Sequence, residues 1–307
     1  MITVNSLSGG KTSSYIAAHY PADNEVFALV CMDDHNSNAG SKTFKIDKKV
    51  RQMVNDKLQK YCSDQHEFVC TAEDPITIKT MFDLEQYIGR EIIWLRGPGF
   101  QQTTFGKSML PNKQHRWCTS IFKIEPIFRF LYNWRSLPCK MRIGFRADEA
   151  DRANTFKDTF IMNSHCEMHI DENNHFQQKS NAILTYPVTR SGYSYAIRKK
   201  EVAFRIGEFP LIEAGIVQAD IQRYWQDKPV EFAADSNCQF CFWKHPMQLR
   251  NNFDIHPGIM HTAMVLEAMQ GGTLHASLSM RDIKNIAPQL DLFKMRGGGC
   301  HGGYCTS

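Results

Sequence analysis

The chain opens on a short β-prone run at 1–7, passes through a glycine pair flanked by hydroxyls, and leaves through an amphipathic segment at 15–20. That order predicts a strand, a tight turn and a helix start. A continuous apolar run at 26–32 ends in Asp33-Asp34, as buried parallel strands do. Over 42–61, Phe44, Ile46, Val50, Met53, Val54, Leu58 and Tyr61 recur at helical spacing and predict a helix. Further strands are predicted at 66–70, 140–145 and 184–188, and further helices at 77–89, 199–207, 218–226, 260–269 and 279–286. The stretch 96–116, rich in Gly, Gln, Thr, Lys and Pro, reads as a long surface loop. Phe128, Phe130, Leu131 and Trp134 read as a packing face.

Strands that alternate with helices predict an α/β fold with a mostly parallel sheet flanked by helices. The pattern divides the chain into an α/β domain over 1–155, an extension over 156–246, and a smaller, mainly helical C-terminal region over 247–307. The glycine-rich end at 297–305 is expected to be flexible. No internal repeat or low-complexity block interrupts this order.

Composition changes the picture little. The 307 residues are 42% hydrophobic and 22% charged, ordinary for a globular chain able to bury a full core. No apolar run is long enough to span a membrane, and the N-terminus lacks a basic region followed by an apolar one. A cytoplasmic protein with no membrane partner is expected. The net charge of +4 permits a polyanionic partner without demanding one. The stretch 190–205 (Arg190, Arg198, Lys199, Lys200, Arg205) reads either as a basic patch or as a solvated helix face. Ten cysteines are many for a cytosolic chain, where disulfides explain them poorly. Cys31 suits the core; Cys118, Cys238-x-x-Cys241 and the tail pair Cys300 and Cys305 carry the informative spacing.

Candidate chemistry starts at Ser8-Gly9-Gly10-Lys11-Thr12-Ser13-Ser14. Glycine lets the backbone turn close to a ligand, and the following helix start presents unpaired N–H groups and a positive dipole end. Together they make a phosphate site. The loop lacks the spacing of a Walker motif. Four further segments join it: Arg116-Trp117-Cys118-Thr119-x-x-x-Lys123-Ile124-x-Pro126; Ile143-Gly144-Phe145-Arg146-Ala147-Asp148-Glu149-x-x-Arg152; Tyr186-Pro187-Val188 followed by Trp225-x-x-Lys228-Pro229-Val230; and Asn237-Cys238-x-x-Cys241-Phe242-x-Lys244.

In this order, over residues 1 to 245, the segments resemble the adenine-nucleotide α-hydrolase-like proteins, or PP-loop ATP pyrophosphatases. The closer likeness is to the phosphoadenosine-phosphosulfate (PAPS) reductase-like branch. The resemblance implies a Rossmann-like (HUP-type) sheet and cleavage of ATP between its α and β phosphates. The outcome is an adenylylated intermediate and pyrophosphate or, in the reductases, sulfite from a phosphosulfate. It implies that Ser8, Gly9, Gly10, Lys11, Thr12 and Ser13 hold phosphate, that Asp33 and Asp34 stand on the nucleoside side, and that Arg116 and Lys123 also serve nucleotide binding. Lys11, Arg146, Asp148 and Arg152 are the expected catalytic residues. Chemically, Lys11 and backbone N–H groups suit developing pyrophosphate charge. Arg146 and Arg152 suit bidentate phosphate contact. Asp148 or Glu149 suits Mg²⁺. The same Arg-Ala-Asp-Glu-x-x-Arg run also reads as a helix start laced with local ion pairs. Thr12 departs from the family pattern, where Asp is common.

Cys238-x-x-Cys241 is a metal-ligand spacing, and the family resemblance, through Arg116-Trp117-Cys118-Thr119, implies Cys118 as the third ligand. Three thiolates with one open position resemble the [4Fe–4S] cluster of some tRNA-thiolating PP-loop enzymes. Zinc, with His115, His245, Cys300 or Cys305 as a fourth ligand, and no metal at all stay open. The expected partners are an adenine nucleotide with Mg²⁺ and an acceptor that is a tRNA, a DNA or a small molecule, with a homodimer open. True PAPS reduction, with a thiolate on the tail, and a nucleotide-binding module without turnover are the alternative functions. Asp254-Ile255-His256-Pro257 and His261 read as surface or capping groups, and Trp225, Phe240, Phe242 and Trp243 as core or as a shield for the metal site.

Overall fold

The computed structural model describes residues 1–62, 66–165, 169–170, 176–177, 184–190 and 193–287, with backbone alone for those between 163 and 199. Cys300, Cys305 and the glycine tail lie outside the described residues.

Five strands form a wholly parallel sheet: β1 (Thr3–Leu7), β2 (Asn24–Leu29), β5 (Ile92–Arg96), β6 (Cys139–Arg142) and β12 (Arg205–Glu208), in the order β12-β6-β1-β2-β5. The chain therefore leaves β1 toward one edge, then returns to build the other. The reversal falls between β1 and β6. In an open α/β sheet, such a reversal leaves a crevice at the strands' carboxyl ends. The apolar run at 26–32 does not stay one strand: it breaks after Leu29, and β3 (Cys31–Met32) turns away to pair antiparallel with β4 (Cys70–Thr71).

Alternate side chains of the strands feed two cores. Leu7, Phe27, Leu29, Ile92 and Trp94 meet α1 (Lys11–His19), α2 (Lys48–Gln59), α3 (Ile76–Ile88) and α8 (Gln218–Trp225) on one face. Val4, Val26, Ala28, Ile93 and Leu95 meet α6 (Glu125–Asn133) on the other. The helix boundaries follow local chemistry. The Asp47 side chain caps α2 by accepting from Val50 N at 2.9 Å, and α3 runs from Pro75 to a left-handed stop at Gly89. A third core joins β3 and β4 to the C-terminal helices α9 (Pro246–Ile255), α10 (Pro257–Gln270) and α11 (Met280–Lys284), through Met32, Val69, Leu249, Met260 and Leu266.

Several expectations are corrected. Residues 96–116 are not one loop: α4 (Phe100–Lys107) forms there, with Phe100 and Thr104 buried. The predicted helix at 199–207 is instead strand, the end of β11 (Tyr193–Ala203) followed by β12. β11 lies between β10 (Leu184–Arg190) and β7 (Thr159–His165) in an antiparallel sheet, and β8 (His169–Ile170) pairs with β9 (Phe176–Gln177). Because β12 completes the parallel sheet, the α/β unit draws its fifth strand from beyond residue 155. Trp134 is 63% exposed and does not share the packing face of Phe128, Phe130 and Leu131. Arg205 is buried beneath Phe156 and Phe204, so it belongs to no surface patch. Among the described residues no helix is long and apolar enough to cross a membrane. A short α7 (Pro210–Glu213) links β12 to α8.

Candidate functional site

The Ser-Gly-Gly loop leaves β1 at the reversal point. Gly9 holds φ +72°, a left-handed conformation, and a Cβ there would lie 2.3 Å from Thr77 Cγ2. Glycine is thus required twice over. The loop is tied from within by Ser13, whose Oγ accepts from Ser8 N at 3.1 Å and donates to Gly10 O at 3.1 Å. Helix α1 then starts with no side-chain cap and no acidic residue in its first turn. Its first N–H groups and positive dipole end are therefore available to an anion. Thr77 Oγ1, fully buried beside Gly9, has no hydrogen-bond partner among the described residues. Lys11 is exposed at the first helical position, its Nζ 6.0 Å from the Phe232 ring centroid.

The segment after β6 stands across the crevice. A Cβ on Gly144 would lie 3.1 Å from Thr12 Cγ2 and 3.4 Å from Ser13 N, so the two segments touch backbone to loop. Arg146, 5% exposed, places Nη1 3.4 Å from Thr12 Oγ1. The same guanidinium pairs with Asp148 at 2.9 and 3.3 Å and with Glu149 at 3.1 Å, and Arg152 pairs with Glu149 at 2.8 Å. The local ion pairs of this run are thus present, and Arg146 also reaches the loop. Asp148 and Glu149 spend their carboxylates on arginines here.

Residues from far along the chain close over the loop. Trp225 Nε1 donates to Lys11 O at 2.9 Å, and Ser236 Oγ lies 2.8 Å from where a Cβ on Gly10 would be. Ser236 opens the Cys-x-x-Cys arm. Asp235 organises that arm: it accepts from Asn237 N at 2.9 Å and pairs with buried Lys244 at 2.8 Å. Burial would raise its carboxyl, but Lys244 and Asn237 hold it below the usual range. Two turns follow, Cys241 N to Cys238 O at 3.0 Å and Lys244 N to Cys241 O at 2.9 Å.

Cys118, Cys238 and Cys241 feel one another electrostatically, so the three thiols share a neighbourhood. Burial first, then the Cys241 charge, pushes Cys118 up to about 11; burial first, then the Glu73 charge and more weakly the other two cysteines, pushes Cys238 well above its ordinary value; burial also raises Cys241. Donors point the other way: Thr119 to Cys118, and the Trp243 N–H to Cys241. Among the described residues no group of three or more His, Cys, Asp or Glu side chains stands arranged to hold a metal ion. In kind, three thiols backed by N–H donors fit a thiophilic metal or an iron–sulfur cluster. Cys118 lies in a short helical turn, Trp117–Thr119, that runs into a π-helical segment, Ser120–Ile124, before α6. Such wider turns frequently mark functional sites.

Arg116 lies near both the thiols and Arg152: burial lowers it, Cys118 and Cys241 raise it, and Arg152 lowers it. Lys123 lies on the thiol side rather than at the loop, 2.8 Å from Glu73 Oε1. Glu73 is fully buried, which raises its carboxyl against the pull of Lys123 and of Val30 N–H. Sequence reasoning missed Glu73, although an acidic pair between a strand and Pro75 was the available signal. Its neighbour Asp74 holds His256 Nε2 at 3.3 Å and Thr43 Oγ1 at 2.6 Å. His256 is thus buried, not a surface group. Asp33 accepts from Gln102 N at 2.9 Å at the start of α4, and Asp34 accepts from Asn36 N at 2.9 Å. Both carboxylates act as backbone caps in this structure. A cavity of about 590 Å³ lies elsewhere, beyond edge strand β5, lined by Tyr61, His66, Arg96, Gln102, Arg129 and Asn133 among others.

The fold is that of an α/β protein whose five-stranded parallel sheet has the Rossmann-like order, with its motif loops gathered at the reversal point. No family model matches the chain, and no solved structure matches it. Uncharacterized protein MJ0066 of Methanocaldococcus jannaschii is 37% identical over 57 residues. That match covers 18% of this chain and 11% of the relative's length.

Proposed function

We propose that this chain is a cytoplasmic PP-loop enzyme of the PAPS reductase-like, HUP-type kind, which cleaves ATP at the α-phosphate and activates an acceptor for sulfur transfer. One observation carries the reading: Thr12 of the glycine loop, Arg146 after β6 and Ser236 of the Cys-x-x-Cys arm meet around one sheet crevice. Three sequence motifs that share no local structural need converge where an α/β sheet binds ligands.

In this reading the α1 N-terminus, Lys11 and the hydroxyls of Ser8, Thr12 and Ser13 bind the phosphates. Thr77 Oγ1 supplies a further buried polar atom. Arg146 and Arg152 exchange part of their pairing with Asp148 and Glu149 for phosphate oxygens, which frees carboxylate oxygens for Mg²⁺. An acceptor carbonyl oxygen attacks the α-phosphorus; the bond to the bridging oxygen breaks, and pyrophosphate leaves with the electron pair. Hydrosulfide, as the sulfur donor, then displaces AMP. Lys11 and the loop N–H groups stabilise the departing pyrophosphate. Cys118, Cys238 and Cys241 would hold an iron–sulfur cluster, or zinc, which would supply a thiophilic site for the sulfur donor. Arg116 lies near both that centre and Arg152.

A second reading, a nucleotide-binding module without turnover, is favoured by one observation: Thr12 offers no carboxylate, and both Asp148 oxygens face Arg146. Incubation of the pure protein with ATP and Mg²⁺ separates the two. Release of AMP and pyrophosphate supports the enzyme; ATP binding without release supports the module.

A further inference from the structure

Two tryptophans flank the cysteines, Trp117 directly before Cys118 and Trp243 two residues after Cys241. Each carries cations over its ring. Lys107 Nζ lies 5.7 Å from the Trp117 centroid. Lys113 Nζ lies 5.2 Å and Arg116 Cζ 5.4 Å from Trp243. Lys107 and Lys113 are exposed, and neither pairs with a carboxylate among the described residues. Burial, followed by the charges of Lys113 and His245, pushes His275 down, so further basic groups crowd the same rim. The nearby acids are spent inward, Glu73 on Lys123 and Asp235 on Lys244. Both indole N–H groups are buried and lack a hydrogen-bond partner among the described residues.

We propose that this rim, Lys107, Lys113, Arg116, Trp117 and Trp243, docks a single-stranded polynucleotide, and so that the acceptor is a base within a nucleic acid. The identification of the acceptor rests on the sulfur-transfer reading above; the docking does not. Cations held over aromatic faces suit a strand in two ways: phosphates take the charges of the exposed lysines, and bases stack on the part of each half-buried indole that the cations now cover. A small neutral acceptor would need no such surplus charge. Trp117 adjoins Cys118, so a base stacked there sits beside the sulfur-bearing end of the proposed site.

The test uses the full chain without ATP. Fluorescence anisotropy of labelled 20-mers, one RNA and one DNA, is followed across salt, together with tryptophan quenching. Wild type should bind at least one strand and quench. Lys107→Glu with Lys113→Glu should weaken binding by about tenfold or more and flatten the salt dependence by roughly 1.4 in log–log slope, at about 0.7 per lost phosphate contact. Lys48→Glu with Lys49→Glu on α2, matched in charge, should bind like wild type. Preference for one 20-mer tells RNA from DNA. Absence of binding to both strands, or equal loss in the two double variants, overturns the docking proposal. Binding is read without turnover, so failure of the ATP reaction leaves this result intact. Strand binding in a protein that cleaves no ATP would overturn the acceptor assignment alone.

Discussion

The guanidinium of Arg146 reaches across the sheet's reversal point to the hydroxyl of Thr12, 3.4 Å away, although 134 residues separate them. The contact joins the two segments proposed to bind phosphate. Arg146→Ala should lower pyrophosphate release from ATP by about 100- to 1,000-fold, the loss typical of a donor aimed at developing charge. Thr12→Asp should pair with Arg146 instead and lower ATP affinity in the absence of Mg²⁺. Unchanged release in Arg146→Ala would remove the arginine from the chemistry.

Gly144 predicts a steric effect. Ala there forces a methyl against the Thr12 side chain and the Ser13 N–H, both within 3.4 Å. Nucleotide affinity should fall by about tenfold, or about 1.4 kcal/mol, while the melting temperature moves little. Gly9→Ala should do worse, because it adds backbone strain of about 1–3 kcal/mol. Calorimetric titration with ATP reads both.

The thiols predict metal content. Cys118→Ser, Cys238→Ser and Cys241→Ser should each cut bound iron and sulfide, or bound zinc, in anaerobically purified protein. Elemental analysis and the visible spectrum decide between the two. A wild-type protein that carries neither metal sinks the proposal for this site.

Much of this was legible beforehand, and the reasons differ by residue. The strand β2 was readable because its core, Val26 to Leu29, is an unbroken apolar run, as in buried parallel strands. The helix at α3 was readable because Pro75 and Gly89 mark its ends. The α4 helix was not, because its Gln-Gln-Thr-Thr composition is that of a loop and its start is secured by Asp33, 69 residues earlier. Strands β11 and β12 were taken for a helix because Arg198 to Glu201 favour helices locally, and sheet pairing overrode that preference. Glu73 and His256 were invisible as partners because each finds its charge across the fold, in Lys123 and Asp74.

The Glu73–Lys123 pair makes a stability prediction. Lys123→Met leaves a buried carboxylate without its cation and should destabilise the fold by about 3–5 kcal/mol. The double variant with Glu73→Gln should recover a large part of that loss. Urea unfolding of the four proteins in a cycle measures the coupling; additive effects would mean that the pair contributes nothing jointly.

Asp74 makes the pH prediction. Burial opposes its charge, but His256, Thr43 and the Ile76 N–H together keep its carboxyl below the ordinary aspartate value. A lowered folded value means that its contribution is complete above about pH 4 and is lost as pH falls through the folded value. Asp74→Asn should therefore cost about 1–3 kcal/mol at neutral pH and narrow toward wild type in acid. A constant difference across that range would contradict the assignment.

The hydrogen bond from Trp225 to Lys11 spans 214 residues, and Ser236 packs on Gly10 from farther still. During synthesis the glycine loop precedes the first partner of its clasp by 214 residues. A nascent chain halted at β12 would hold all five strands of the sheet and still lack the clasp over that loop. On the proposed function, chains truncated before residue 236 should therefore bind ATP more weakly than the full chain, although their sheet is complete.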